Sequence, residues 1–65
     1  MRIVVNGDSR DVVGASLTSA LDELGFGGAV VATALNGEFV PAPLRATATL
    51  RDGDRLEVLA PMQGG

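Results

Sequence analysis

The chain predicts an α+β fold in which one main helix packs on one face of a mixed sheet of four to five strands. Three observations carry this. Apolar residues alternate with other side chains near both ends, at Ile3 and Val5 and again at Leu56 and Val58, the period of a strand with one buried face. Between them Leu17, Ala20, Leu21 and Leu24 recur at i, i+3, i+4 and i+7, the spacing of an amphipathic helix. Two Asn-Gly pairs, Asn6-Gly7 and Asn36-Gly37, supply residues that tolerate positive φ and so let the chain reverse.

The first strand is Arg2-Ile3-Val4-Val5-Asn6, with Ile3 and Val5 on the core face. After Asn6-Gly7-Asp8 a short second strand over residues 9–13 completes a hairpin, though its apolar content is weak. Ser16 is a good helix N-cap, because its hydroxyl can accept a bond from a free amide of the first turn. The helix that follows runs two to three turns, with Thr18, Ser19, Asp22 and Glu23 on its polar side and Gly25 at its left-handed C-terminal cap. Residues 29–35 form a nearly continuous apolar run, which predicts a strand covered on both faces or close to it. Asn36-Gly37 turns that strand into Glu38-Phe39-Val40, and Pro41 and Pro43 end the pairing because proline cannot donate to a ladder. Residues 42–50 show no clear period and read as a loop or a single helical turn crossing the sheet. Asp52-Gly53-Asp54 is a tight turn, and residues 55–60 form the last strand, with Leu56 and Val58 on one face and Arg55, Glu57 and Leu59 on the other. If the first pair faces the helix, Leu59 is exposed. With the terminal strands adjacent and parallel in the middle of the sheet this string of elements is a β-grasp; other small α+β folds share it.

The whole is one domain over residues 1–60 followed by a flexible C-terminal tail over 61–65. At 65 residues folding removes only about 60% of the unfolded surface from water, so the core is thin. The chain is 46% apolar, with no cysteine and no histidine, which removes disulfides, thiolate chemistry and the usual zinc ligand sets. Net charge is -3 and the five arginines are scattered, leaving no stripe to follow a phosphate backbone, so nucleic acid is not an expected partner. There is no lysine to accept an isopeptide bond. No signal-peptide pattern opens the sequence, and no apolar run approaches the roughly 20 residues that cross a bilayer. The expectation is a soluble, cytoplasmic protein with no membrane partner.

No catalytic side-chain set emerges. Without histidine or cysteine, Ser-His and Cys-His pairs are excluded. Asp52 and Asp54 could be imagined on a hard cation, but calcium takes six to eight oxygens, and a turn whose aspartates bond their own backbone explains them better. Gly25, Gly27 and Gly28 neither follow a strand nor open a helix, so they make no phosphate loop. No metal site is expected. The tail Pro61-Met62-Gln63-Gly64-Gly65 ends on two glycines without a charged side chain. It reads either as a frayed end or as an acyl arm. Glycine has nothing beyond Cα, so a diglycine end can thread a narrow channel, and five extended residues reach about 17 Å. The terminal carboxylate is ionised at neutral pH and a poor electrophile, so it needs activation, which ATP supplies by forming an acyl adenylate.

The chain resembles the ThiS family, sulfur carriers of thiamine biosynthesis, along its whole length. The resemblance rests on Ile3-Val4-Val5-Asn6-Gly7, on the helix start Ser16-Leu17 with Leu21 and Leu24, and on Ala34-Leu35-Asn36-Gly37-Glu38-Phe39-Val40-Pro41. It rests also on residues 50–58 (LRDGDRLEV) and on Gly64-Gly65 at the end. It implies a ubiquitin-like β-grasp in which a ThiF-type, E1-like adenylyltransferase activates Gly65 with MgATP. A sulfur-relay persulfide then yields a thiocarboxylate, and a ThiG-type thiazole synthase takes the sulfur. On this resemblance the chain is not an enzyme and binds no cofactor of its own; ATP and magnesium belong to the activating partner. Gly64 keeps the tail thin, with Gln63 and Met62 behind it. Docking is expected through an apolar sheet surface beside the tail, with Leu59, Met62 and Phe39 as candidates, Phe39 being equally a candidate for the core. Residues 42–49, alanine- and threonine-rich without an aromatic, depart from the family pattern. The rival readings are a MoaD-like carrier for molybdopterin, a ubiquitin-like modifier, and a binding domain whose diglycine end is incidental.

Overall fold

The computed structural model describes residues 1–60. Strands β1 (Arg2–Val5) and β2 (Asp8–Asp11) precede helix α1 (Leu17–Glu23); β3 (Ala32–Leu35), β4 (Glu38–Val40), a 3-10 turn (Ala42–Leu44) and β5 (Arg55–Leu59) follow. The sheet order is β2-β1-β5-β3-β4, with β1 and β5 parallel and the other neighbours antiparallel. The parallel terminal strands at the centre make this a β-grasp.

Both hairpins turn on Asn-Gly in the left-handed region, Asn6 at φ 50° with Gly7 at 88° and Asn36 at 51° with Gly37 at 86°, the conformation that lets a two-residue loop follow strand twist. Each asparagine also bonds β5. Asn36 Oδ1 accepts the Arg55 amide at 2.9 Å, at the start of the strand. Asn6 Oδ1 accepts the Val58 amide at 2.9 Å and its Nδ2 donates to the Val58 carbonyl at 3.1 Å, near the strand's end.

Helix α1 opens on a capping box. The Ser19 amide donates to Ser16 Oγ at 3.1 Å and the Ser16 amide donates to Ser19 Oγ at 3.2 Å, serine standing where the motif usually has Glu or Gln. Leu17, Ala20 and Leu21 are buried against Ile3, Val5, Val12, Leu50, Leu56 and Val58. At seven residues the helix is too short to persist alone, and this apolar seam holds it in place. Gly25 at φ 92° ends it as expected. Residues 42–50 cross beside the helix start: the Leu17 amide donates to Ala48 O, the Leu50 amide to Ala15 O, and Leu50 is buried.

Two strands differ from the sequence expectation by more than one residue at an end. β2 covers Asp8–Asp11, after which Val12 turns into the core while Val13 stands in solvent. β3 starts at Ala32 rather than at residue 29 and is not covered on both faces; only Thr33 in it is fully buried, and Val30 is 80% exposed. The cause is the partner strand. Thr33 pairs with Val40, and Pro41 follows at once, so β4 has no further residue to pair with the chain before Thr33. That junction is tied by polar groups instead: Thr33 Oγ1 donates to the Val40 carbonyl at 2.8 Å, while Arg45 donates from Nε to Thr33 Oγ1 at 3.0 Å and from Nη2 to the Val31 carbonyl at 2.6 Å.

Candidate functional site

β5 is the central strand, and it carries the chain to Ala60, the last described residue before the tail. Its alternation sorts the side chains by face. Leu56 and Val58 are buried under the helix; Arg55, Glu57 and Leu59 face the open side. Leu59 is 66% exposed, as its place in the alternation predicts. Val30, Val31, Ala32, Leu59 and Ala60 line a shallow, mostly apolar groove of about 340 Å³. Five small or aliphatic side chains at the root of the tail offer a surface that gains by being covered, and none of these side chains can donate or accept a proton.

Phe39 is corrected from a possible core residue to an exposed one, at 69%. Register explains this: Val40 pairs with buried Thr33 and so points under the helix, whereas Phe39 pairs with Ala34, which pairs in turn with Glu57 on the open face. Phe39 thus shares the face of Leu59 but lies on the edge strand, with β3 between them. Val30 lies outside the strand that the apolar run of residues 29–35 predicts; the short β4, ended by Pro41, is the signal that bounds that strand. Met62, Gln63, Gly64 and Gly65 lie outside the described residues.

Elsewhere the polar groups serve the fold. Asp54 Oδ2 accepts the Arg51 amide at 2.8 Å and Asp52 Oδ1 accepts the Arg2 amide at 2.8 Å, so the aspartates of that turn bind backbone. Among the described residues no group of three or more acidic, histidine or cysteine side chains could hold a metal ion, and no helix is long and apolar enough to cross a membrane. Glu23 accepts the Gly14 and Val13 amides, each at 2.7 Å, and these two bonds hold its carboxyl below the ordinary glutamate value.

Comparison with known proteins agrees with this geometry. The model of the ThiS family matches residues 3–65, the tail included. The sulfur carrier protein ThiS of Thermus thermophilus is 41% identical over 61 residues, covering 94% of this chain and 95% of that one. A thiazole synthase of Paramagnetospirillum magneticum is 40% identical over 67 residues; the whole of this chain is covered, but it spans only 20% of that relative's length. A crystal structure of a thiamine biosynthesis protein (ThiS) from Geobacter metallireducens superposes with a TM-score of 0.82 at 36% identity, covering all of both chains. A solution structure of a thiamine biosynthesis protein from the same organism gives 0.78 at 35% identity, covering all of this chain and 88% of that one.

Proposed function

This chain belongs to the ThiS family and is a sulfur carrier of thiamine biosynthesis, and we propose that its working group is the carboxylate of Gly65. In the first step a carboxylate oxygen attacks the α-phosphorus of ATP on a ThiF-type adenylyltransferase, pyrophosphate leaves, and Gly65 becomes an acyl adenylate. The terminal sulfur of a persulfide on a relay protein then attacks the acyl carbon and AMP leaves. A second thiol, losing its proton, attacks the relay protein's sulfur in the resulting acyl disulfide; a new disulfide forms between those two sulfurs, the original sulfur–sulfur bond breaks, and its electron pair leaves with the thiocarboxylate. A ThiG-type thiazole synthase consumes that sulfur, and the sequence likeness to a thiazole synthase supports such a partner.

The observation that carries this reading is a diglycine at the end of the matched family region, in the segment that follows the central strand of the sheet. A carboxylate is a poor electrophile and does not react until a partner activates it. Magnesium and ATP are then the partner's. Gly64 has no side chain to obstruct a channel, and five extended residues reach about 17 Å. The domain therefore docks outside an active site that the tail enters. Leu59 and Val30 supply the apolar contact at the root of the tail, Met62 and Gln63 extend it along the channel, and Phe39 sits at its periphery. The cytoplasm, where ATP is abundant, is the compartment this chemistry fits.

Chain-dependent ATP–pyrophosphate exchange with the cognate adenylyltransferase tests the first step. Exchange is expected with the full chain and lost when Gly65 is deleted; no exchange with the full chain would overturn the proposal.

A further inference from the structure

We infer that Asn6 is a positioning residue for loading of the tail, because its side-chain amide takes the place of the strand residue that β1 lacks and so fixes the end of β5. This rests on the proposed function, since it concerns how the arm is presented to the enzyme that activates it.

The backbone pairing of β1 with β5 stops early. The Asn6 amide donates to the Leu56 carbonyl at 3.0 Å, and the chain then turns away through Asn6 and Gly7 at positive φ. The next amide and carbonyl of β5 on that side belong to Val58. A continuing parallel strand would satisfy both, but none is there. Asn6 satisfies both with one side chain, accepting from the Val58 amide at 2.9 Å and donating to the Val58 carbonyl at 3.1 Å. Only a carboxamide has an acceptor and a donor so placed, and asparagine also tolerates the left-handed backbone of the turn.

The place of this clamp gives it a role beyond stability. Val58 is the last residue of β5 whose side chain enters the core; Leu59 of the docking groove follows, then Ala60, then the tail. β3 holds the strand from the other side through the pairing of Ala32 with Leu59. With both sides held, Leu59 and the root of the tail keep one orientation. With the Asn6 side chain gone, one side is open and the last residues of β5 fray. An enzyme that needs the ordered root then meets a smaller competent fraction, which raises the apparent dissociation constant and leaves the step after docking unchanged.

Asn36 is the control, because its side chain clamps the opposite end of β5, at Arg55, away from the tail. Both asparagines sit at positive φ, so glycine at either position keeps the turn while removing the side chain and its amide. The experiment compares full-length wild type with Asn6→Gly, Asn6→Asp and Asn36→Gly, at a temperature where all are folded by circular dichroism. Two quantities are read: amide exchange at Val58 to Ala60, and KM and kcat of the chain as substrate of the adenylating enzyme. Asn6→Gly is expected to speed exchange at those amides and raise KM about five- to tenfold at unchanged kcat. Asn6→Asp, which keeps an acceptor and loses the donor, should fall between, and Asn36→Gly should keep the wild-type KM. A wild-type KM in Asn6→Gly, or an equal rise in Asn36→Gly, overturns the positioning role while leaving the proposed function intact. If the wild-type chain is not adenylated at all, the proposed function itself fails and the positioning role with it.

Discussion

Among the described residues Thr33 is the one polar residue in the buried centre, at 1% exposure, and its hydroxyl is used in both directions, donating to Val40 and accepting from Arg45. Replacing it by the near-isosteric valine leaves a carbonyl and a guanidinium N–H without that partner. Thr33→Val is expected to lower the unfolding free energy by about 1–3 kcal/mol, measured by urea denaturation. Glu23 gives a second residue-level outcome. Its folded pKa lies below the unfolded value because the Gly14 and Val13 amides bond the ionised carboxylate, so its contribution is present above the unfolded pKa and disappears as pH falls through the folded one. Glu23→Gln should therefore have a lower Tm than wild type at neutral pH, and the gap should close as pH falls below about 4.3, the ordinary glutamate value. A constant gap across that range would show that charge is not the cause. Neither interaction is visible in sequence order, since Thr33 and Arg45, or Glu23 and Gly14, meet only through tertiary placement.

At the scale of elements, local rules succeed where the chain makes its own partners. The helix is legible because Ser16 and Ser19 cap it within one turn and its leucines recur at helical spacing. Ser16→Ala removes the acceptor for a first-turn amide and should cost about 1 kcal/mol in thermal or urea unfolding. Gly14→Ala acts on the same cap from outside, since an added Cβ would collide with Ser19 Oγ and Cβ; the helix start must shift or the box must open. The β5 alternation is equally legible and places Leu59 correctly. β3 is not, because an apolar run such as residues 29–35 says how much can be buried, not what is available to pair with it. Three residues of β4 and then Pro41 decide that Val30 leaves the sheet and joins the groove.

For the whole molecule, element order together with the family resemblance points to the β-grasp, and register supplies what order does not: which residues share the open face. Leu59 could be read from alternation alone, whereas the exposure of Phe39 and the part played by Val30 depend on strand pairing across the sheet. The groove should behave as a docking surface rather than as core. Leu59→Thr keeps strand propensity, so its stability should stay within about 0.5 kcal/mol of wild type, while the KM of the activating enzyme for the chain rises. A loss of stability with an unchanged KM would reverse that assignment. The tail is the one part whose role rests on chemistry and family rather than on described geometry, and the most direct test lies there. The intact mass of the chain is measured after incubation with the cognate adenylyltransferase, MgATP and a sulfur donor. The prediction is exchange of one oxygen for sulfur, located at Gly65 by fragmentation and absent when Gly65 is deleted; an unchanged mass, or sulfur found on any other residue, would contradict it.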